Sequence, residues 1–132
     1  MEITYEFVQS MDAMEVAEVF KMSGITRPVH DLDRIQRMID HADMIVTARI
    51  NGQLVGIARA ITDYSYCCYL SDLAVDANYQ RSGIGKELVH CIQEKLGEEV
   101  TLVLVSAPNA VDYYPRIGFE KSDKTFLIRR KC

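Results

Sequence analysis

Two glycines next to a lysine stand where an apolar strand pattern gives way to a helical pattern. The segment Gln80-Arg81-Ser82-Gly83-Ile84-Gly85-Lys86 follows the apolar run Tyr69–Val75. From here onward, apolar residues recur at every fourth position: Ile84, Leu88, Ile92 and Leu96. This spacing predicts a helix, whose first N–H groups lack intrahelical partners and carry about half a positive charge. Because glycine lets a ligand approach the backbone closely, the segment predicts a pyrophosphate-binding loop.

Spacing separates three kinds of phosphate-binding loop. A Walker loop requires glycine near Tyr79 or Gln80 and a Ser or Thr after Lys86, where this chain has Glu87. The dinucleotide fingerprint requires a third glycine where this chain has Leu88. Both patterns fit poorly, which leaves Gln-x-x-Gly-x-Gly between a strand and a helix.

This remaining pattern resembles motif A of the GCN5-related N-acetyltransferases, the GNAT superfamily. A second segment, Asn109-Ala110-Val111-Asp112-Tyr113-Tyr114-Pro115-Arg116-Ile117-Gly118-Phe119, is similar to the end of GNAT motif B. There, Asn and Ala precede an aromatic pair and a basic-x-Gly-Phe ending. This chain has Pro115 where the family often has Glu or Lys. The resemblance covers nearly the whole chain.

The resemblance implies a site for acetyl-CoA as co-substrate, with no metal. Residues Gln80 to Lys86 are expected to bind the pyrophosphate, and Asn109 to contact the pantetheine arm. The acetyl carbonyl is expected beside the backbone N–H groups of Leu73, Ala74 and Val75. Tyr114 corresponds to the tyrosine near the CoA sulfur, so it is expected to protonate the departing thiolate.

Residues on the acceptor side are open to two interpretations each. An alkyl ammonium must lose a proton before it attacks, and Asp72 is either the general base or a partner in local sheet structure. Arg27 and His30 lie between two predicted helices, in the loop that borders the acceptor pocket in the family. They either contact the substrate or form polar surface. Tyr64 and Tyr66 either line the same pocket or cover one face of the sheet.

Apolar periodicity predicts the order β–α–α–β–β–β–α–β–α–β, which is the GNAT order. The predicted strands are Met1–Val8, Met44–Ile50, Gln53–Ile61, Tyr69–Val75, Val100–Val105, a strand at Phe119, and Thr125–Arg130. Four helices are predicted, beginning at Asp12, Asp31, Ile84 and Asn109. The first helix is expected to bury Ala13, Val16, Ala17 and Phe20, and the second to bury Leu32, Ile35 and Ile39. Asn51-Gly52 predicts a hairpin turn, and the Val100–Val105 run is typical of a strand buried on both faces. The fold class is therefore α/β (α+β), with a mixed, mostly antiparallel central sheet and helices on both faces.

The composition is that of an acidic globular protein. The 132 residues carry a net charge of −4 and are 48% hydrophobic, which suits one domain over residues 1–132. The acidic balance argues against nucleic-acid or membrane partners, which require clustered Lys and Arg. No secretory signal or membrane-length apolar run is present, so a cytoplasmic location is expected. The cysteines lack metal-ligand spacing.

Three classes of function follow from these patterns. The first is an acetyl-CoA-dependent N-acetyltransferase that moves the acetyl group to a primary amine, on a small molecule or a peptide, by direct attack. The second is a catalytically silent acyl-CoA-binding module, and the third is an unrelated nucleotide-binding domain. Asn109 and Tyr114 together favour the enzyme. Dimers are frequent in the family, so a homodimer is also an expectation.

Overall fold

The computed structural model describes residues 2–132. They form a five-stranded sheet and three α-helices. The strands are β1 (Thr4–Val8), β2 (Met44–Ile50), β3 (Gln53–Thr62), β4 (Cys67–Val75) and β5 (Thr101–Val103). The helices are α1 (Ala13–Ser23), α2 (Leu32–Asp40) and α3 (Ile84–Leu96). The strands lie in the order β1-β2-β3-β4-β5, and all neighbours are antiparallel except β4 and β5. No helix within residues 2–132 is both long and apolar enough to cross a bilayer.

Helices α1 and α2 cover one face of the sheet. Asp12 caps α1 by accepting a hydrogen bond from the Met14 N–H, as the sequence predicts. The buried stripe of α1 matches the prediction: Ala13, Val16, Ala17 and Phe20. In α2, Ile35 and Ile39 are buried as predicted, but the prediction for Leu32 was wrong, since this first residue of the helix is 40% exposed.

Helix α3 covers the opposite face, which confirms the expectation of helices on both faces. Ile84, Leu88 and Ile92 are buried there with residues of β2, β3 and β4. A Cβ on Gly56 of β3 would lie 3.0 Å from Ile84 Cγ2 and 3.2 Å from Leu88 Cδ1. Glycine at this position therefore lets the first turns of α3 pack directly on the sheet.

The hairpin between β2 and β3 is also as predicted. Asn51 and Gly52 both have positive φ, at 52° and 81°. The two-residue turn fixes the register in which Ile50 lies opposite Gln53.

The chain after α3 differs from the prediction. Strand β5 has three residues, and Val103 is 40% exposed, because β5 pairs with β4 on one edge only. The expected helix at 109–117 is instead two 3₁₀ turns, Pro108–Ala110 and Tyr114–Ile117. Pro115 removes a backbone N–H that a continuous helix over 109–117 would use.

The two closing strands are absent from the described residues. Neither Phe119 nor Thr125–Arg130 lies in a strand, and Phe126 is 91% exposed. An apolar run becomes a strand only if another edge pairs with it, and local pattern does not specify that distant partner.

Candidate active site

The N-terminus of α3 is open, unlike those of the other two α-helices. Asp12 and Asp31 cap α1 and α2 with their side chains, whereas α3 begins after Gly83 with no side-chain cap. Gly83 has φ of 84°, and a Cβ there would meet no atom within 4 Å. The space beside Gly83 is therefore open, and the first N–H groups of α3 lie at the positive end of the helix dipole without a side-chain cap. This arrangement suits a phosphate group.

The loop before α3 is held by its own polar side chains. Gln80 Nε2 donates to the carbonyl oxygen of Val75 at 2.9 Å, and the Ser82 hydroxyl donates to the Tyr79 carbonyl. Gln80 and Ser82 thus shape the loop, whatever they contribute to a ligand. The two basic side chains of the segment are exposed: Arg81 and Lys86.

The edge of β4 beside this loop lacks a strand partner on the β5 side. Parallel pairing between β4 and β5 covers only Cys67–Tyr69 with Thr101–Val103. At Leu73–Val75, β4 is paired only with β3 among the described residues. Val75 Cγ2 lies 3.8 Å from the Cβ position of Gly85, so this free edge is adjacent to the start of α3. Backbone groups and a helix N-terminus therefore meet in one place.

Tyr113 lies against the first turn of α3, which the sequence did not predict. A Cβ on Gly85 would lie 2.5 Å from the Tyr113 hydroxyl oxygen. The small size of Gly85 therefore makes room for this tyrosine, whereas the sequence assigned Gly85 to phosphate contact. The aromatic pair Tyr113-Tyr114 suggested that a ring would pack near this site, but the sequence did not indicate which of the two would face α3.

Tyr114 packs edge-on between two aromatic rings. Its ring centroid lies 5.3 Å from that of Tyr113 and 5.5 Å from that of Phe119. Burial raises the pKa of Tyr114 above its ordinary value of 10.0, the charge of Tyr113 raises it further, and the charge of Arg27 lowers it. Its phenol therefore carries a proton at neutral pH and can donate it. Asn109, the other motif B residue, is exposed in the first 3₁₀ turn.

Asp72 lies at the centre of a buried ion cluster. Its side chain has 0% exposure, and Oδ1 accepts from Arg27 Nε at 2.6 Å while Oδ2 accepts from Arg59 Nε at 2.5 Å. Arg59 lies directly opposite Asp72 in the β3–β4 register, next to a bulge. Since both carboxylate oxygens are bound and the side chain is shielded from solvent, this geometry favours an anchoring role for Asp72 over the general-base role.

The remaining acceptor-side candidates do not converge on this site. Tyr64 and Tyr66 precede the start of β4, about 25 Å along the strand from Val75 at 3.3 Å per residue. The Tyr64 hydroxyl donates to the Asp43 carbonyl at 2.8 Å, and Tyr66 is 78% exposed. His30 is exposed. Among the predicted substrate contacts, Arg27 alone binds β4 next to Leu73–Val75, through Asp72 and the Ser71 carbonyl.

The sequence matches the profile of the acetyltransferase (GNAT) domain over residues 12–129. It is 33% identical over 73 residues to the uncharacterized N-acetyltransferase ycf52 of Pyropia yezoensis, covering 54% of this chain. The matched region spans 42% of that relative's length.

Two solved structures have the same fold. A GNAT-family acetyltransferase of Streptococcus pneumoniae TIGR4 has a TM-score of 0.76 at 23% identity, covering 98% of this chain and 100% of that one. The aminoglycoside N-acetyltransferase AAC(6')-Iy, solved in complex with CoA, has a TM-score of 0.74 at 16% identity, covering 99% and 96%. At these identities the likeness concerns the fold alone.

Proposed function

The chain belongs to the GNAT acetyltransferase family, and from this premise we propose that it moves an acetyl group from acetyl-CoA to a primary amine. The observation that carries the proposal is the uncapped N-terminus of α3 beside the free edge of β4. The helix N-terminus offers N–H groups to a pyrophosphate, and the neighbouring strand edge offers N–H groups to a thioester carbonyl. Structures of this fold that contain CoA support the choice of donor.

The reaction in this proposal is direct attack by the neutral amine on the acetyl carbon. Within Leu73–Val75, the backbone N–H groups that face away from β3 stabilise the oxyanion of the tetrahedral intermediate. The carbon–sulfur bond then breaks, and the Tyr114 hydroxyl gives its proton to the thiolate, whose ordinary pKa is about 8.5. Because Asp72 is held by two arginines, a water molecule takes the proton of the amine.

A catalytically silent acyl-CoA-binding module would need the pyrophosphate-binding loop but no proton donor. Tyr114 therefore favours the enzyme, since its phenol is protonated and its ring packs against Tyr113, whose hydroxyl lies at the start of α3. We further propose a small-molecule or peptide amine as acceptor. A cytoplasmic location, a homodimer, and the lack of nucleic-acid and membrane partners stay predictions.

Acetyl-CoA is expected to stabilise the folded protein. At 100 times its dissociation constant, a ligand that binds only the native state adds about 2.7 kcal/mol to the free energy of unfolding. Thermal or urea unfolding with acetyl-CoA, ATP and NAD at equal concentration checks this. Stabilisation by ATP or NAD without an effect of acetyl-CoA would contradict the proposed function.

Gly83→Val is expected to raise the KM for acetyl-CoA at least about tenfold. The new side chain fills the open space above the α3 N-terminus, so a phosphate can no longer reach the N–H groups. Steady-state kinetics with varied acetyl-CoA measures the effect.

The matched control is Gly97→Val at the other end of α3. Gly97 has φ of 80° and also has no atom within 4 Å of its Cβ position, and both glycines lie in backbone regions that cost other residues about 1–3 kcal/mol. Only the Gly83 variant should change the KM. Equal KM values in both variants would remove the phosphate role from Gly83.

A further inference from the structure

The ion cluster around Asp72 carries one more positive charge than negative charge. Two guanidinium groups, from Arg27 and Arg59, share the single carboxylate of Asp72. Arg59 is 7% exposed and also donates to Ser71 Oγ at 3.0 Å and to the Met38 carbonyl at 3.3 Å. Arg59 therefore neutralises Asp72 within the protein, and the excess charge belongs to Arg27.

The guanidinium of Arg27 is held in place by the protein but keeps N–H donors without a protein acceptor among the described residues. Its Nε donates to Asp72, its Nη1 to the Thr26 carbonyl at 2.6 Å, and its Nη2 to the Ser71 carbonyl at 2.7 Å. A guanidinium has five N–H donors, so one donor remains on each Nη atom within the described residues. The side chain is 26% exposed, so these donors can reach a ligand. Three protein contacts hold the guanidinium in place beforehand.

Arg27 lies beside the β4 segment at which the acetyl carbonyl is proposed to bind. Its donors bind Asp72 and the Ser71 carbonyl, which directly precede Leu73–Val75 in β4. Both oxygens of Asp72, the nearest acid in the cluster, already bind arginines. A polycationic acceptor would be repelled here, whereas an anionic group would find a prepared partner.

We propose that Arg27 binds a carboxylate of the acceptor, so that the substrates are amines that carry a carboxylate near the amino group, as amino acids do. This proposal rests on the proposed acetyltransferase function and adds the substrate class. Arg27 is the specificity residue, and Asp72 and Arg59 are the positioning residues that hold it. A guanidinium is suited to this role because its planar set of donors matches a carboxylate.

Matched acceptor pairs test the proposal. The pairs are glycine, alanine, phenylalanine and glutamate, each against its α-carboxamide, with spermidine and kanamycin as cationic acceptors, and CoA release is measured. For the wild-type protein, kcat/KM is expected to be at least about tenfold higher for the carboxylate member, as for a charge-assisted hydrogen bond. In Arg27→Gln this ratio should fall to about one, while the KM for acetyl-CoA stays unchanged. Arg27→Lys should keep part of the preference.

Arg37→Gln is the charge-matched control, because Arg37 is exposed on α2. It should keep the wild-type ratio. Arg27→Gln should also fold, since it leaves Asp72 and Arg59 as a charge-balanced pair.

The outcomes separate this proposal from the proposed function. Acetylation of carboxamides, spermidine or kanamycin in preference to the carboxylates would overturn the acceptor class and keep the acetyltransferase. A protein that acetyl-CoA stabilises but that acetylates none of the carboxylates would overturn it as well. Absence of acetyl-CoA binding would instead overturn the proposed function.

Discussion

Tyr114→Phe is expected to lower kcat about 10²-fold, within the range for loss of a general acid. The variant keeps the ring that packs against Tyr113 and Phe119, so stability and the KM for acetyl-CoA should hardly change. An interaction made only in the transition state lowers kcat and kcat/KM together. Steady-state kinetics with an acceptor for which chemistry limits turnover measures the effect.

The pH profile gives a second readout for Tyr114. A general acid acts in its protonated form, so activity falls as pH rises through its pKa in the folded protein. Burial, the largest effect, raises the pKa of Tyr114 above 10.0, so the wild-type alkaline limb lies at high pH. The Phe variant should lack this limb.

Tyr113→Phe is the control on the neighbouring ring. Its hydroxyl lies against Gly85 at the start of α3, so its loss should affect cofactor binding more than kcat. If Tyr114→Phe has wild-type kcat across the pH range, Tyr114 is a packing residue and water protonates the thiolate.

Asp72→Asn is expected to destabilise the protein by about 3–5 kcal/mol, the usual cost of removing one partner from a buried ion pair. The change is nearly isosteric but leaves the buried guanidinium of Arg59 without its counterion. It also removes the charge-assisted bond from Arg27, which keeps its contact with the Ser71 carbonyl. Urea unfolding, read as a shift of the midpoint at constant slope, measures the loss.

Glu15→Gln is the matched control because Glu15 is also bound to an arginine. Its pair with Arg49 is at the surface, with side-chain exposures of 38% and 27%, so about 0–1 kcal/mol is expected. A folded Asp72→Asn protein of wild-type stability that loses the acid limb of the pH profile would instead establish Asp72 as the general base.

The starts of α1, α2 and α3, the hairpin and the glycine turn before α3 could be predicted because each depends on neighbours in the chain. Asp12 and Asp31 cap helices a few residues away, and Asn51-Gly52 forms its turn locally. The Gly83 loop was recognisable for the same reason. The prediction of the closing strands was wrong because the apolar pattern of Thr125–Arg130 does not specify which strand edge would pair with it.

The sequence by itself determined the family, the order of the first elements and the glycine turn before α3, since short-range spacing encodes all three. Only the tertiary structure decided what Asp72 contacts. Arg27 is 45 residues from Asp72 in the chain, and Arg59 reaches it through the β3–β4 register. The same holds for Tyr113, which meets Gly85 only after the chain returns to α3. Contacts between distant segments depend on how whole elements pack, and periodicity within one element carries no record of its partner.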